Sequence, residues 1–89
     1  MTTLKLGVLI SGRGTNLQAI LDAVGAGRLD ADIRLVISNK AGAQGLERAA
    51  QKGVATRVIS HRDYDSREAF DAALVDELRS VGVEWVVLA

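Results

Sequence analysis

Five consecutive residues, Gly12, Arg13, Gly14, Thr15 and Asn16, carry the strongest chemical signal in the sequence. An apolar run containing Leu6, Val8, Leu9 and Ile10 precedes them. A helical pattern follows at once, with Leu17, Ile20, Leu21 and Val24 at the i, i+3, i+4, i+7 spacing. This reads as a buried strand, a tight glycine turn and a helix start. Glycine lets the backbone take positive φ and lets a ligand approach the main chain. The first turn of a helix offers unpaired N–H groups and a partial positive charge, which suits an anion. All five residues are therefore candidate phosphate-binding positions. Thr15 can add a hydroxyl hydrogen bond. Asn16 either caps the helix or contacts the ligand. Arg13 either pairs with phosphate through its guanidinium or stays solvated at the loop tip. The competing reading of the stretch is a strand–helix connection that needs glycine only for packing.

The type of phosphate ligand follows from what the motif lacks. A dinucleotide loop reads G-x-G-x-x-G, with an acidic residue about 20 positions on for the ribose. Gly12 and Gly14 fit, but Leu17 stands at the third glycine position, and the second apolar run ends in Ser38-Asn39-Lys40 without a carboxylate. No G-x-x-x-x-G-K-[ST] loop is present either. A mononucleotide or sugar phosphate fits better than NAD or ATP.

The elements that must hold this loop follow from periodicity. Residues 4–10 form the first strand, apolar enough to be covered on both faces. The first helix runs from Thr15 or Asn16 to Val24 and stops at Gly25 and Gly27. Residues 33–37 form strand two. Helix two spans residues 43–51, with Leu46, Ala49 and Ala50 facing inward and Gly53 as its stop. Residues 56–59 form strand three. Helix three opens on Asp65 as N-cap with Glu68 in a capping box, buries Phe70, Ala73, Leu74, Leu78 and Val81, and stops at Gly82. Residues 84–88 form strand four, on which Trp85 reads as core. The order β-α-β-α-β-α-β with short loops argues a parallel, right-handed, Rossmann-like α/β sheet in three layers. Ligands bind such sheets beyond the carboxyl ends of the strands. Three loops meet there, at residues 11–16, 38–42 and 60–65.

Composition narrows the classes. The 89 residues suffice for one modest core, with roughly 60–65% of the extended surface buried. Eleven basic residues balance eleven acidic ones, so no long-range attraction to nucleic acid or anionic membrane is expected. Cysteine is absent, which excludes disulfides and thiol chemistry and fits a cytoplasmic setting. No stretch reaches the roughly 18 apolar residues of a membrane helix, and the N-terminus lacks a signal peptide's long apolar region. With one histidine, no cysteine and scattered carboxylates, no metal set is expected. His61 lies in a polar loop with no evident partner or reactive centre and reads as a surface residue. Ser38-Asn39-Lys40 reads as a solvated turn in which Lys40 could supplement phosphate charge balance. Arg67 reads from the residues alone as a first-turn surface arginine paired with Asp63 or Asp71.

Four blocks in order, VLISGRGTNLQAI, VISNKAGAQGLERA, DSREAFDAAL and WVVLA, resemble phosphoribosylglycinamide formyltransferases of de novo purine synthesis. The resemblance implies formyl transfer from 10-formyltetrahydrofolate to the amine of glycinamide ribonucleotide. It implies that Gly14, Thr15 and Asn16 hold the substrate phosphate and that Arg67 contacts the folate. The family's catalytic asparagine, histidine and aspartate lie in its C-terminal half, and no position here matches them. His61 is not that histidine. The resemblance therefore implies that residues 1–89 are the N-terminal, phosphate-binding half of a formyltransferase domain and that this chain alone does no chemistry. Two alternatives stand beside it. One is a non-catalytic half-fold that binds phosphate or self-assembles. The other is a formyltetrahydrofolate hydrolase with the same nucleotide-binding half, against which the S-G-R-G-T-N loop counts, since a hydrolase needs no sugar-phosphate site. An apolar fourth strand lying beside the first would also be an open edge, expected to pair with a second copy or with a complementary C-terminal half.

Overall fold

The computed structural model describes residues 3–10 and 13–89. The elements are β1 (Leu4–Ile10), α1 (Thr15–Gly25), β2 (Ala31–Ser38), α2 (Gln44–Gln51), β3 (Thr56–Val58), a 3₁₀ turn (His61–Asp63), α3 (Arg67–Ser80) and β4 (Trp85–Leu88). The four strands form one parallel sheet in the order β3-β2-β1-β4. The chain thus builds outward from β1 through β2 to β3, then returns to pair β4 with the other side of β1. That reversal puts the helices on two faces, because each crossover is right-handed.

Two apolar clusters fill the layers. On one face Leu17 and Leu21 of α1 and Ala49 of α2 pack against Val8, Ile10, Ile33 and Val36. On the other, Leu78, Phe70 and Leu74 of α3 pack against Leu9, Leu35, Ile37 and Ile59. A bulge makes this division possible. Leu6 pairs with Ile33 but Gly7 pairs with Leu35, so Arg34 is the extra residue of β2. Past the bulge the side-chain alternation is reset, and Leu35 and Ile37 turn toward α3 while Val36 turns toward α1 and α2. Arg34 points outward and meets Asp32 at 2.7 Å.

Several details differ from the sequence reading. Ser66, not Asp65, caps α3, and its Oγ accepts from the Ala69 N–H at 3.1 Å. A serine directly before the first helical residue reaches that N–H from an extended backbone. Ala50 is exposed; Gly45 and Ala49 form the buried face of α2 instead. Residue 59 belongs to the loop after β3 and Glu84 precedes β4. Trp85 is 61% exposed and not core. It shares a face with Val87, but β4 is an edge strand, and the helical layer covers Val87 and Ala89 without reaching Trp85. No helix among the described residues is long and apolar enough to cross a membrane.

Candidate functional site

The carboxyl ends of the strands carry the site, and the start of α1 is its centre. Gly14 is the N-cap of α1 and holds φ 77°, ψ 26°. This left-handed conformation favours glycine over any residue with a Cβ. Among the described residues no side chain caps α1, and its first turn holds no acidic residue. The contrast with α3 is direct: there Ser66 occupies a first-turn N–H and Glu68 supplies negative charge. The amino end of α1 therefore keeps its N–H donors and its positive dipole end for an outside acceptor.

Asn16 was open between cap and contact. With Gly14 as the cap, Asn16 lies inside the first turn, exposed, and caps nothing. Thr15 and Arg13 are exposed as well. Gly12 lies outside the described residues. Gln18 closes the first helical turn through its N–H to the Gly14 carbonyl, 2.8 Å.

Sequence reading missed the support behind this loop. Gly45 of α2 is buried against it, and a Cβ built on Gly45 would stand 3.1 Å from Gly14 Cα and collide with Ile10 Cδ1. Arg48, one turn further along α2, donates from Nε to the Arg13 carbonyl at 2.9 Å and from Nη1 to Gln18 Oε1 at 3.1 Å. The only sequence signal for this was a glycine inside a helical pattern, which costs helix stability and so calls for a packing reason.

A cleft of about 420 Å³ runs from Ile10, the residue that ends β1, to Arg67 at the start of α3. Leu9, Ile37, Phe70, Leu74 and Leu88 give it apolar walls. A second hollow of about 470 Å³ shares Asn39, Arg67 and Phe70 with it. Arg67 thus stands where the two meet. Its Nε lies 3.8 Å from Asp71 Oδ1, with the two side chains 85% and 56% exposed. An ion pair that loose and that wet contributes almost nothing, so the guanidinium is free to turn toward a ligand carboxylate.

The turn after β2 is only partly solvated. Lys40 is exposed, but Ser38 is fully buried, and its Oγ accepts from the Lys40 N–H and donates to the Lys40 carbonyl, both at 3.0 Å. Asn39 lines both hollows, and its Oδ1 is buried without a hydrogen-bond partner among the described residues. His61 packs edge-on to Phe70, ring centroids 6.2 Å apart, and Tyr64 does the same at 5.9 Å. That contact gives the imidazole a packing role at the rim. No group of three or more potential metal ligands occurs among the described residues.

Comparison with known proteins places the chain in a family. The formyl transferase family matches residues 4–89. The trifunctional purine biosynthetic protein adenosine-3 of Drosophila pseudoobscura pseudoobscura is 52% identical over 87 residues, covering 96% of this chain and 6% of that protein. The phosphoribosylglycinamide formyltransferase of Escherichia coli strain K12 is 50% identical over 82 residues, covering 92% of this chain and 39% of that enzyme. Among solved structures, glycinamide ribonucleotide transformylase 1 from Symbiobacterium toebii superposes with a TM-score of 0.95 at 50% identity, covering 98% of this chain and 41% of that one. Its counterpart from Geobacillus kaustophilus gives 0.93 at 39% identity, covering 98% and 46%. The chain spans about two fifths of the length of these bacterial relatives.

Proposed function

Since the chain belongs to the formyl transferase family, we propose that its 89 residues are the phosphate-binding part of a phosphoribosylglycinamide formyltransferase. In this reading the reaction moves a formyl group from 10-formyltetrahydrofolate to the amine of glycinamide ribonucleotide. The observation that carries it is the uncapped amino end of α1 behind a left-handed Gly14. The Gly14, Thr15 and Asn16 N–H groups receive the substrate phosphate and Arg13 flanks it, with Gly12 a further candidate from the sequence. The cleft leading from Ile10 to Arg67 supports a second ligand with an apolar body and an acidic end, which a folate has. Arg67 meets that acidic end. The groups that polarise the formyl carbonyl are not among these residues. His61, packed on Phe70, takes no part.

Titration with glycinamide ribonucleotide, followed by two-dimensional amide NMR, tests this. Shifts are expected at Gly14, Thr15 and Asn16, with none on the far side of the sheet at Val75 or Ser80. The 89-residue chain supplied with both substrates is expected to give no formyl transfer. Absent shifts at the loop would refute the phosphate site. Turnover that disappears with Asn16→Ala or Arg67→Ala would refute the division of labour.

A second reading, a non-catalytic module that pairs with another copy of itself, is favoured by the open edge of β4. Trp85, Val86 and Leu88 are 61%, 49% and 79% exposed on a strand bonded on one side only. Open apolar edges pair readily. Under this reading light scattering gives a mass that rises with protein concentration, and Val86→Lys removes the rise. A constant monomer mass would discard it.

A further inference from the structure

Arg48 sits on α2, yet its two hydrogen bonds among the described residues go to the segment around the start of α1. A relay stands behind it. Gln18 donates from Nε2 to Asp22 Oδ1 at 2.9 Å, which leaves Gln18 Oε1 facing Arg48 Nη1. Three hydrogen bonds therefore connect a carboxylate on α1, through the α2 guanidinium, to the main-chain carbonyl of Arg13. Because the acceptor is backbone, the contact acts on loop conformation and not on the Arg13 side chain.

The consequence follows from peptide geometry. The Arg13–Gly14 bond is trans, and a trans peptide is planar with its C=O and N–H pointing in opposite directions. Holding the Arg13 carbonyl on the Arg48 side turns the Gly14 N–H the other way. The close backbone approach of Gly45 to Gly14 removes room for the loop to relax toward α2. A guanidinium can serve two acceptors at a fixed angle; a lysine ammonium on its flexible stem does not reproduce that fork. We propose that Arg48 is a positioning residue: it touches no ligand but aims the Gly14 N–H at the phosphate seat. The proposal rests on the phosphate reading of the loop for its functional half and on the hydrogen bonds alone for its structural half.

Wild type, Arg48→Met and Arg48→Lys test both halves with ribose 5-phosphate as the probe. In Arg48→Met the affinity is expected to fall about tenfold, as loss of a charge-assisted hydrogen bond does. In the ligand-free chain the Gln18 amide, bonded to the Gly14 carbonyl at 2.8 Å, is expected to exchange about tenfold faster. The Val36 amide of β2, bonded to Ala55 O just before β3 at 3.0 Å, is the internal reference and is expected to change less than about threefold. Arg48→Lys keeps the stem and charge and is expected to fall between the two; if Arg48→Met does not fold, it carries the test. Unchanged affinity overturns the proposal, whether or not exchange accelerates. Equal acceleration at Gln18 and Val36 overturns it too, because Arg48 would then only stabilise the fold. A wild-type chain that does not bind ribose 5-phosphate overturns the phosphate reading instead, and the exchange comparison still decides whether Arg48 holds the loop.

Discussion

Gly14→Ala is expected to lower stability by about 2–4 kcal/mol and to abolish measurable binding of glycinamide ribonucleotide. Two costs add. An alanine at φ 77° is strained by roughly 1–2 kcal/mol. Its Cβ would also stand 2.5 Å from Gly45 Cα, and that neighbour is backbone, so either α2 or the loop must move. Movement of the loop carries the first-turn N–H groups away from a common focus, which is why binding is lost along with stability. Two alanine substitutions separate the terms. At Gly53, φ 74° with open space around it, only strain of about 1 kcal/mol is expected. At Gly42, where there is open space and no positive φ, almost no change is expected. Urea midpoints for the three variants, each with a ligand titration, check the order. A Gly14→Ala chain as stable as Gly53→Ala would mean that the Gly14–Gly45 approach yields easily.

Leu17→Ala is expected to cost about 3 kcal/mol, the usual range for a fully buried leucine. Leu17 is 0% exposed and sits in the cluster that joins α1 to Val8, Ile10 and Val36. A domain of this length has only about 5–10 kcal/mol in hand, so one such cavity removes a large share. The site follows the fold here, because Leu17 anchors the turn that carries the proposed phosphate seat. Val75→Ala, at a side chain 41% exposed on α3, is expected to cost under about 1 kcal/mol. Thermal and urea unfolding of both variants check this. A Leu17→Ala loss no larger than that of Val75→Ala would contradict the packing of α1 described here. The same burial explains why a leucine stands where dinucleotide loops carry their third glycine: here the position anchors the helix to the sheet and does not serve close backbone passage.

The alternation of apolar runs with helical spacing was enough to read every strand and helix in order, because periods of two and near four residues dictate which faces can be buried. It was enough to single out residues 12–16 as the candidate loop, since two glycines fall between a buried strand and a helix start. The four blocks that resemble the formyltransferases agree with the family to which the chain belongs. Local signals stopped where a partner came from elsewhere in the chain. Asp65 and Ser66 are both good caps by type, and only the backbone at the start of α3 decided for Ser66. Trp85 reads as core from its place in an apolar strand, yet the sheet order left it on an edge beyond the reach of α1. Arg34 became a bulge through its pairing with β1, and Asn39 became part of a cleft through the meeting of β2 with α3. Gly45 and Arg48 show the limit most clearly. Thirty residues separate Arg48 from Gln18, and no periodicity links them; the stacking of α2 beside α1 on one sheet face makes them neighbours. Residue types and short-range spacing thus determined the elements, their order and the candidate loop, whereas long-range packing alone decided what holds that loop in shape.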